Sequence, residues 1–216
     1  MVIDHNHTAY RAKWQNAGPN KFNGAFYYSK EIVKNIVPNV ETRRNWITVN
    51  VQGVGCDNAI VFIHNNLHPS RYDWLKKYNN LVLVCGIPET CEKVAHLGTP
   101  IYLPLSIDTE YVKQFRVEEK TKEVAFVGRR SKKTLGEIPK GIDHLSGMRR
   151  QLLLPKMAEY ETVYAVGRTA IEAKCLGCKL KAYDKRFPKV SFWKVVDNKD
   201  AAKMLQRELD RIDGVR

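Results

Sequence analysis

Gly167-Arg168-Thr169, followed one helical turn later by Glu172, is the set of residues in this chain best suited to hold a phosphorylated ligand. A glycine at the entry to a helix lets backbone approach a ligand closely. The first helical N–H groups, here those of Arg168, Thr169 and Ala170, carry the positive end of the helix dipole, and Arg168 adds a full charge. Glu172 lies one turn further in, where its carboxylate could accept hydrogen bonds from a ribose diol while the helix start holds phosphates. An ordinary helix bearing a solvated glutamate reads from the same residues, because glycine turns are common in α/β units.

Other groups suggest chemistry more loosely. His64 closes an apolar run and could act as a general base, as a hydrogen-bond donor that orients a sugar, or as a structural histidine. Asn65 and Asn66 after it suit sugar hydroxyls or a turn before a helix. Arg129-Arg130-Ser131-Lys132-Lys133 is a dense cationic run. Gly53-Val54-Gly55 lacks the third glycine, the Lys and the Ser or Thr of a P-loop, so it reads as a turn. Cys175 and Cys178 form a C-x2-C with no second ligand pair, which favours core cysteines over a metal site. Tyr10, Trp14, Phe22, Phe26, Tyr27 and Tyr28 interleave with Arg11, Lys13 and Lys21, a pattern open to base stacking and to plain burial.

The elements that must position these residues follow from hydrophobic patterning. Strands are expected at 46–51, 59–64, 81–85 and 100–105, and again at 123–128, 162–166 and 179–183. Helices are expected from a cap at Ser29 to about Val37, and at 69–78, 88–97, 147–159, 168–176 and 198–212. Continuous apolar strands alternating with helices indicate an α/β chain with parallel sheets. The charged, apolar-poor stretch 116–122 predicts a linker between a lobe at 1–116 and a lobe at 117–216.

The net charge is +13, with 36 Lys and Arg against 23 acids, and most of the excess falls in residues 117–216. A diphosphate accounts for only part of it, so a polyanionic partner, nucleic acid or an anionic surface, is carried beside a purely solvated basic face. No apolar run approaches the ~20 residues of a membrane span. The N-terminus lacks a secretory pattern, and five cysteines without framework spacing suit a reducing compartment. A cytoplasmic location in the host cell is expected.

Two further segments, Glu123-Val-Ala-Phe-Val-Gly128 and Leu152-Leu-Leu-Pro-Lys-Met-Ala-Glu-Tyr160, precede the Gly167 turn. In this order they resemble the C-terminal, nucleotide-sugar-binding half of GT-B-type, group 1-like glycosyltransferases, as in small bacterial or phage-like enzymes. The resemblance extends upstream through Leu103-Pro-Leu-Ser-Ile-Asp108. It implies two small Rossmann-like lobes facing each other across a cleft, and metal-independent transfer from a nucleotide sugar, a UDP-sugar among the candidates, with no other cofactor. Donor binding then falls on Arg129 or Arg130, Lys132 or Lys133, Gly167, Arg168, Thr169 and Glu172, and the acceptor side on His64. Retaining enzymes of this type commonly carry an acid eight positions before the glutamate, where this chain has Tyr164. The acceptor reading includes nucleic acid, such as a modified DNA base. The alternatives are a sugar-nucleotide epimerase and a non-catalytic nucleic-acid-binding protein on a glycosyltransferase-like scaffold.

Overall fold

The structure, a computed structural model, describes residues 1–14, 24–49, 52–64, 68–128 and 138–214. The chain is α/β and divides into two compact units, residues 1–104 with 198–216, and residues 105–197.

The first unit is built on five parallel strands in spatial order β1-β2-β3-β4-β5: β1 (Val2–Ile3), β2 (Asn45–Ile47), β3 (Ala59–Ile63), β4 (Leu81–Cys85) and β5 (Thr99–Tyr102). Every residue of β3 and β4 is buried, which explains their uninterrupted apolar runs: a sheet covered on both faces needs no polar alternation. One face packs Ile47, Val61, Ile63, Leu83 and Cys85 against Tyr10, Tyr72, Leu75 and Val94. On the other parity Trp46 stacks on Phe62, whose ring meets the edge of Tyr28.

Three local expectations change. Ser29 caps nothing, because it lies inside α2 (Gly24–Glu31), where its hydroxyl meets that of Thr48 at 2.9 Å in a buried pair. The helix then widens into a π turn over Ile32–Ile36. The segment expected as a helix at 69–78 is a 3-10 run, Pro69–Lys77. α1 (Thr8–Trp14) precedes α2, and α3 (Pro88–Val94) lies between β4 and β5.

The second unit carries a four-stranded parallel sheet in order β7-β6-β8-β9, with β6 at Lys122–Phe126, β7 at Asp143–His144, β8 at Tyr160–Tyr164 and β9 at Lys179–Lys181. Its helices are α4 (Thr109–Lys113), capped by the Asp108 carboxylate on the Tyr111 amide at 2.9 Å, α5 (Arg150–Ala158) and α6 (Arg168–Cys175). The core gathers Phe126, Leu154, Met157, Val163, Ala170, Ile171 and Leu176. Strand β7 was not expected from its sequence, since two residues are too short to set a period.

The domain limits differ from the expected cut at 116/117. The supposed linker is bound into the second unit: Lys120 Nζ donates to the carbonyls of Ala158 at 2.7 Å and Leu176 at 2.8 Å, and Lys122 Nζ lies 2.7 Å from Glu159 Oε2. These carbonyls end α5 and α6, where a cation meets the negative end of both helix dipoles. Ile107 and Thr109 likewise join this unit by pairing with Val196 and Asp197.

At the other junction, the C-terminal helix Asn198–Asp213 returns to the first unit. Asn198 Nδ2 donates to Glu31 at 3.2 Å, Gln206 exchanges hydrogen bonds with the backbone of Glu41, and Arg44 pairs with Asp213 at 2.5 Å. Its apolar stripe of Ala201, Ala202, Leu205 and Leu209 is buried. Among the described residues no helix is long and apolar enough to cross a membrane.

Candidate functional site

In the second sheet the chain moves from β6 outward to β7 on one side, then back past β6 to β8 and on to β9. The order reverses between β6 and β8, and a crevice outside the carboxyl ends of two such strands is where open α/β sheets bind ligands. Gly128 and Gly167 leave those two ends.

Each glycine has a physical reason. Gly128 donates its N–H to Ser146 Oγ at 3.1 Å and lies so close to Tyr183 that an added Cβ would come within 2.3 Å of the phenol oxygen. Gly167 has φ 65° and ψ −141°, a conformation essentially reserved for glycine, and it turns β8 directly into α6. Its carbonyl accepts from Ala170 N at 3.0 Å. The Ala170 amide is therefore used inside the turn and does not serve a ligand.

Arg168 is the first residue of α6, and its guanidinium Nη2 lies 3.2 Å from Glu172 Oε1. The same oxygen accepts from Arg150 Nε at 2.8 Å. Arg150 is the first residue of α5, and its guanidinium also sits 5.3 Å above the Tyr111 ring. Glu172 is 4% exposed. The expectation of a solvated glutamate fails on that burial, and Oε1 is engaged by two cations before any ribose arrives. A carboxylate buried this deeply needs such partners, because an unpaired buried charge is strongly unfavourable.

Arg150 is not legible as a site residue in the sequence. It stands 22 residues before Glu172 in chain order, so no spacing rule connects the two; the available signal was the Arg149-Arg150 pair opening the apolar run of α5.

Thr169 follows Arg168 in the first turn of α6, half-buried. Arg129, Arg130, Lys132 and Lys133 lie outside the described residues, as do Asn65 and Asn66. Tyr164, the last residue of β8, has Lys181 Nζ 5.7 Å from its ring centre. Of the cations in and after the last turn of α6, Lys174 donates to the carbonyls of Val190 and Trp193 at 2.9 and 2.6 Å, and Arg186 grips Asp184 through Nε and Nη2 at 2.8 and 2.6 Å. That grip, with burial working the other way, holds the Asp184 carboxyl below the ordinary range. Lys179, Lys181, Lys185, Lys189 and Lys194 are exposed.

His64 belongs to the first unit, at the carboxyl end of β3. Its backbone N–H donates to the Tyr72 hydroxyl at 2.7 Å, and Nε2 lies 2.6 Å from the Thr48 carbonyl. A carbonyl only accepts, so Nε2 carries the proton and Nδ1 of the neutral ring is an acceptor. Burial pushes the imidazole down to about 4, partly opposed by the bond to Thr48. At neutral pH the ring is uncharged and a weak base, which suits an orienting hydrogen-bond acceptor better than a proton-abstracting group.

Cys175 and Cys178 are free, buried thiols, both pushed up by desolvation, and Cys178 donates to the Met157 carbonyl. Among the described residues no group of three or more His, Cys, Asp or Glu is arranged to hold a metal ion. A cavity of about 640 Å³ at the amino-terminal end of the first sheet is lined by Glu41, Arg43, Arg44, Asn58, Asp210 and Asp213, among others. Arg44 bonds to Asn58, Asn80 and Asp213 there, which makes the cavity part of the clasp on the C-terminal helix; none of the candidate residues lines it.

No protein-family model matches this chain, and a search of curated proteins finds no match to it.

Proposed function

We propose that the chain is a glycosyltransferase of the GT-B type that takes its sugar from a nucleotide-sugar donor held by the second unit. The observation that carries this reading is the Gly167 turn at the switch point, opening α6 with Arg168, whose guanidinium is braced by a buried carboxylate. In the reaction the bond between the sugar C1 and the β-phosphate oxygen breaks, and its electron pair leaves with the diphosphate. An acceptor oxygen bonds to C1 and releases its proton to water. Charge develops on the departing phosphate, where a fixed guanidinium and a helix start stabilise it without reorganising. His64, the acceptor-side candidate of the first unit, is neutral and fixed by Thr48, with Nδ1 left as the accepting nitrogen of the ring.

The test is calorimetric titration with nucleoside diphosphates and nucleotide sugars, followed by turnover assays with acceptors that include DNA. Arg168→Ala should weaken diphosphate binding about tenfold or more, the scale of one lost charge-assisted hydrogen bond. Absence of nucleoside-diphosphate binding by the wild-type chain would refute the reading.

A second reading, a non-catalytic nucleic-acid-binding protein on the same scaffold, is favoured by the exposed lysines at 179, 181, 185, 189 and 194 and by Tyr164 where an acid is expected. Nucleic-acid binding without turnover of any nucleotide sugar would select it.

A further inference from the structure

Glu172 was expected to meet the ribose, yet its position assigns it a different task. Its Oε1 is shared by Arg168 Nη2 at 3.2 Å and Arg150 Nε at 2.8 Å, with the side chains 5%, 10% and 13% exposed respectively. Two guanidinium groups brought this close repel each other, and a single carboxylate oxygen between them holds them together. The two cations come from the first residues of α5 and α6, elements that sequence alone does not connect. Both long side chains thereby lose their rotamer freedom on folding, before any ligand arrives, which is the condition under which a fixed cation binds phosphate at least entropic cost.

Resting on the donor-site reading above, we propose that Glu172 is a positioning residue for a two-arginine diphosphate clamp. In this arrangement Arg150 is a second phosphate contact beside Arg168, and Glu172 acts on the ligand only through the pair. The ribose then does not bond to Glu172.

Inorganic pyrophosphate separates the two roles because it has no ribose. Wild type, Glu172→Gln, Arg150→Ala and Arg168→Ala are titrated with pyrophosphate, with nucleoside diphosphates and with their 2′-deoxy forms. Glu172→Gln should weaken pyrophosphate and nucleoside diphosphate by the same factor, about tenfold to a hundredfold. The ratio between ribose and deoxyribose forms should match that of wild type. Arg150→Ala should weaken pyrophosphate on the same scale, and combining it with Glu172→Gln should cost less than the product of the single effects.

A Glu172→Gln protein that loses nucleoside diphosphate but keeps pyrophosphate would restore the ribose role and overturn the proposal, as would an Arg150→Ala protein with unchanged pyrophosphate affinity. If Glu172→Gln does not fold by circular dichroism, Arg150→Ala decides the matter alone. A wild-type chain that binds neither pyrophosphate nor nucleoside diphosphate refutes the donor site itself, an outcome separate from either of these.

Discussion

Replacing His64 by Gln probes how strongly the first unit suppresses an imidazole charge. The ring falls from an ordinary value of 6.5 to about 4 because burial disfavours the imidazolium. At ~1.4 kcal/mol per pH unit this separation corresponds to about 3–4 kcal/mol, lowered by solvent screening at the partly exposed ring. In the unfolded chain the histidine takes up its proton below about pH 6.5, whereas in the fold it does not until about pH 4. The unfolded state therefore binds more protons in that window, and stability is fully present above it and lost as pH falls through it. Glutamine can still donate an N–H to the Thr48 carbonyl but does not titrate. Urea unfolding of wild type and His64→Gln at pH 7, 6, 5 and 4 should give a stability difference that moves by up to ~3 kcal/mol in favour of the variant toward the acid end. An NMR titration placing the imidazole near 6.5, or a difference that does not change with pH, would refute the reasoning.

Lys120→Met should destabilise the second unit by about 1.5–3 kcal/mol in chemical denaturation, because it strips the partner from two helix-end carbonyls. The same contacts predict that limited proteolysis of the native protein spares Lys120 and Lys122. Gly128→Ala should cost about 1–3 kcal/mol by forcing a Cβ against the Tyr183 phenol, with Tyr183→Leu in the same chain recovering part of it in thermal melts. If the basic face of the second unit engages DNA, log K should fall linearly with log salt in gel-shift titrations. Changing Lys179, Lys181, Lys189 and Lys194 to Gln should flatten that slope without altering nucleoside-diphosphate affinity.

Much of the local structure was legible because it depends on neighbours in sequence. The apolar runs at 59–63 and 81–85 are buried parallel strands, since a two-sided core requires side chains of one kind on both faces. The turn at Gly167 was legible for the same reason: strand, glycine and amphipathic helix follow one another without interruption, and only glycine tolerates the backbone found there. The supposed linker misled because charge composition does not reveal what a side chain reaches. Lys120 looks solvated in sequence, yet its amine bonds the carbonyls of residues 158 and 176.

An α/β chain with parallel strands, a glycine-to-helix junction carrying Arg168 and Glu172, and a basic second half can all be read from local patterning, because periodicity, turn chemistry and charge are properties of adjacent residues. Long-range contacts alone place the C-terminal helix with the first unit, set β6 and β8 on either side of the reversal of strand order, bury His64 so that its ring stays neutral, and bring Arg150 to the carboxylate oxygen it shares with Arg168. Each of these rests on contacts between residues far apart in sequence, and on the burial those contacts create. Burial settles whether a charged side chain faces water or must find a partner, and no local pattern encodes it.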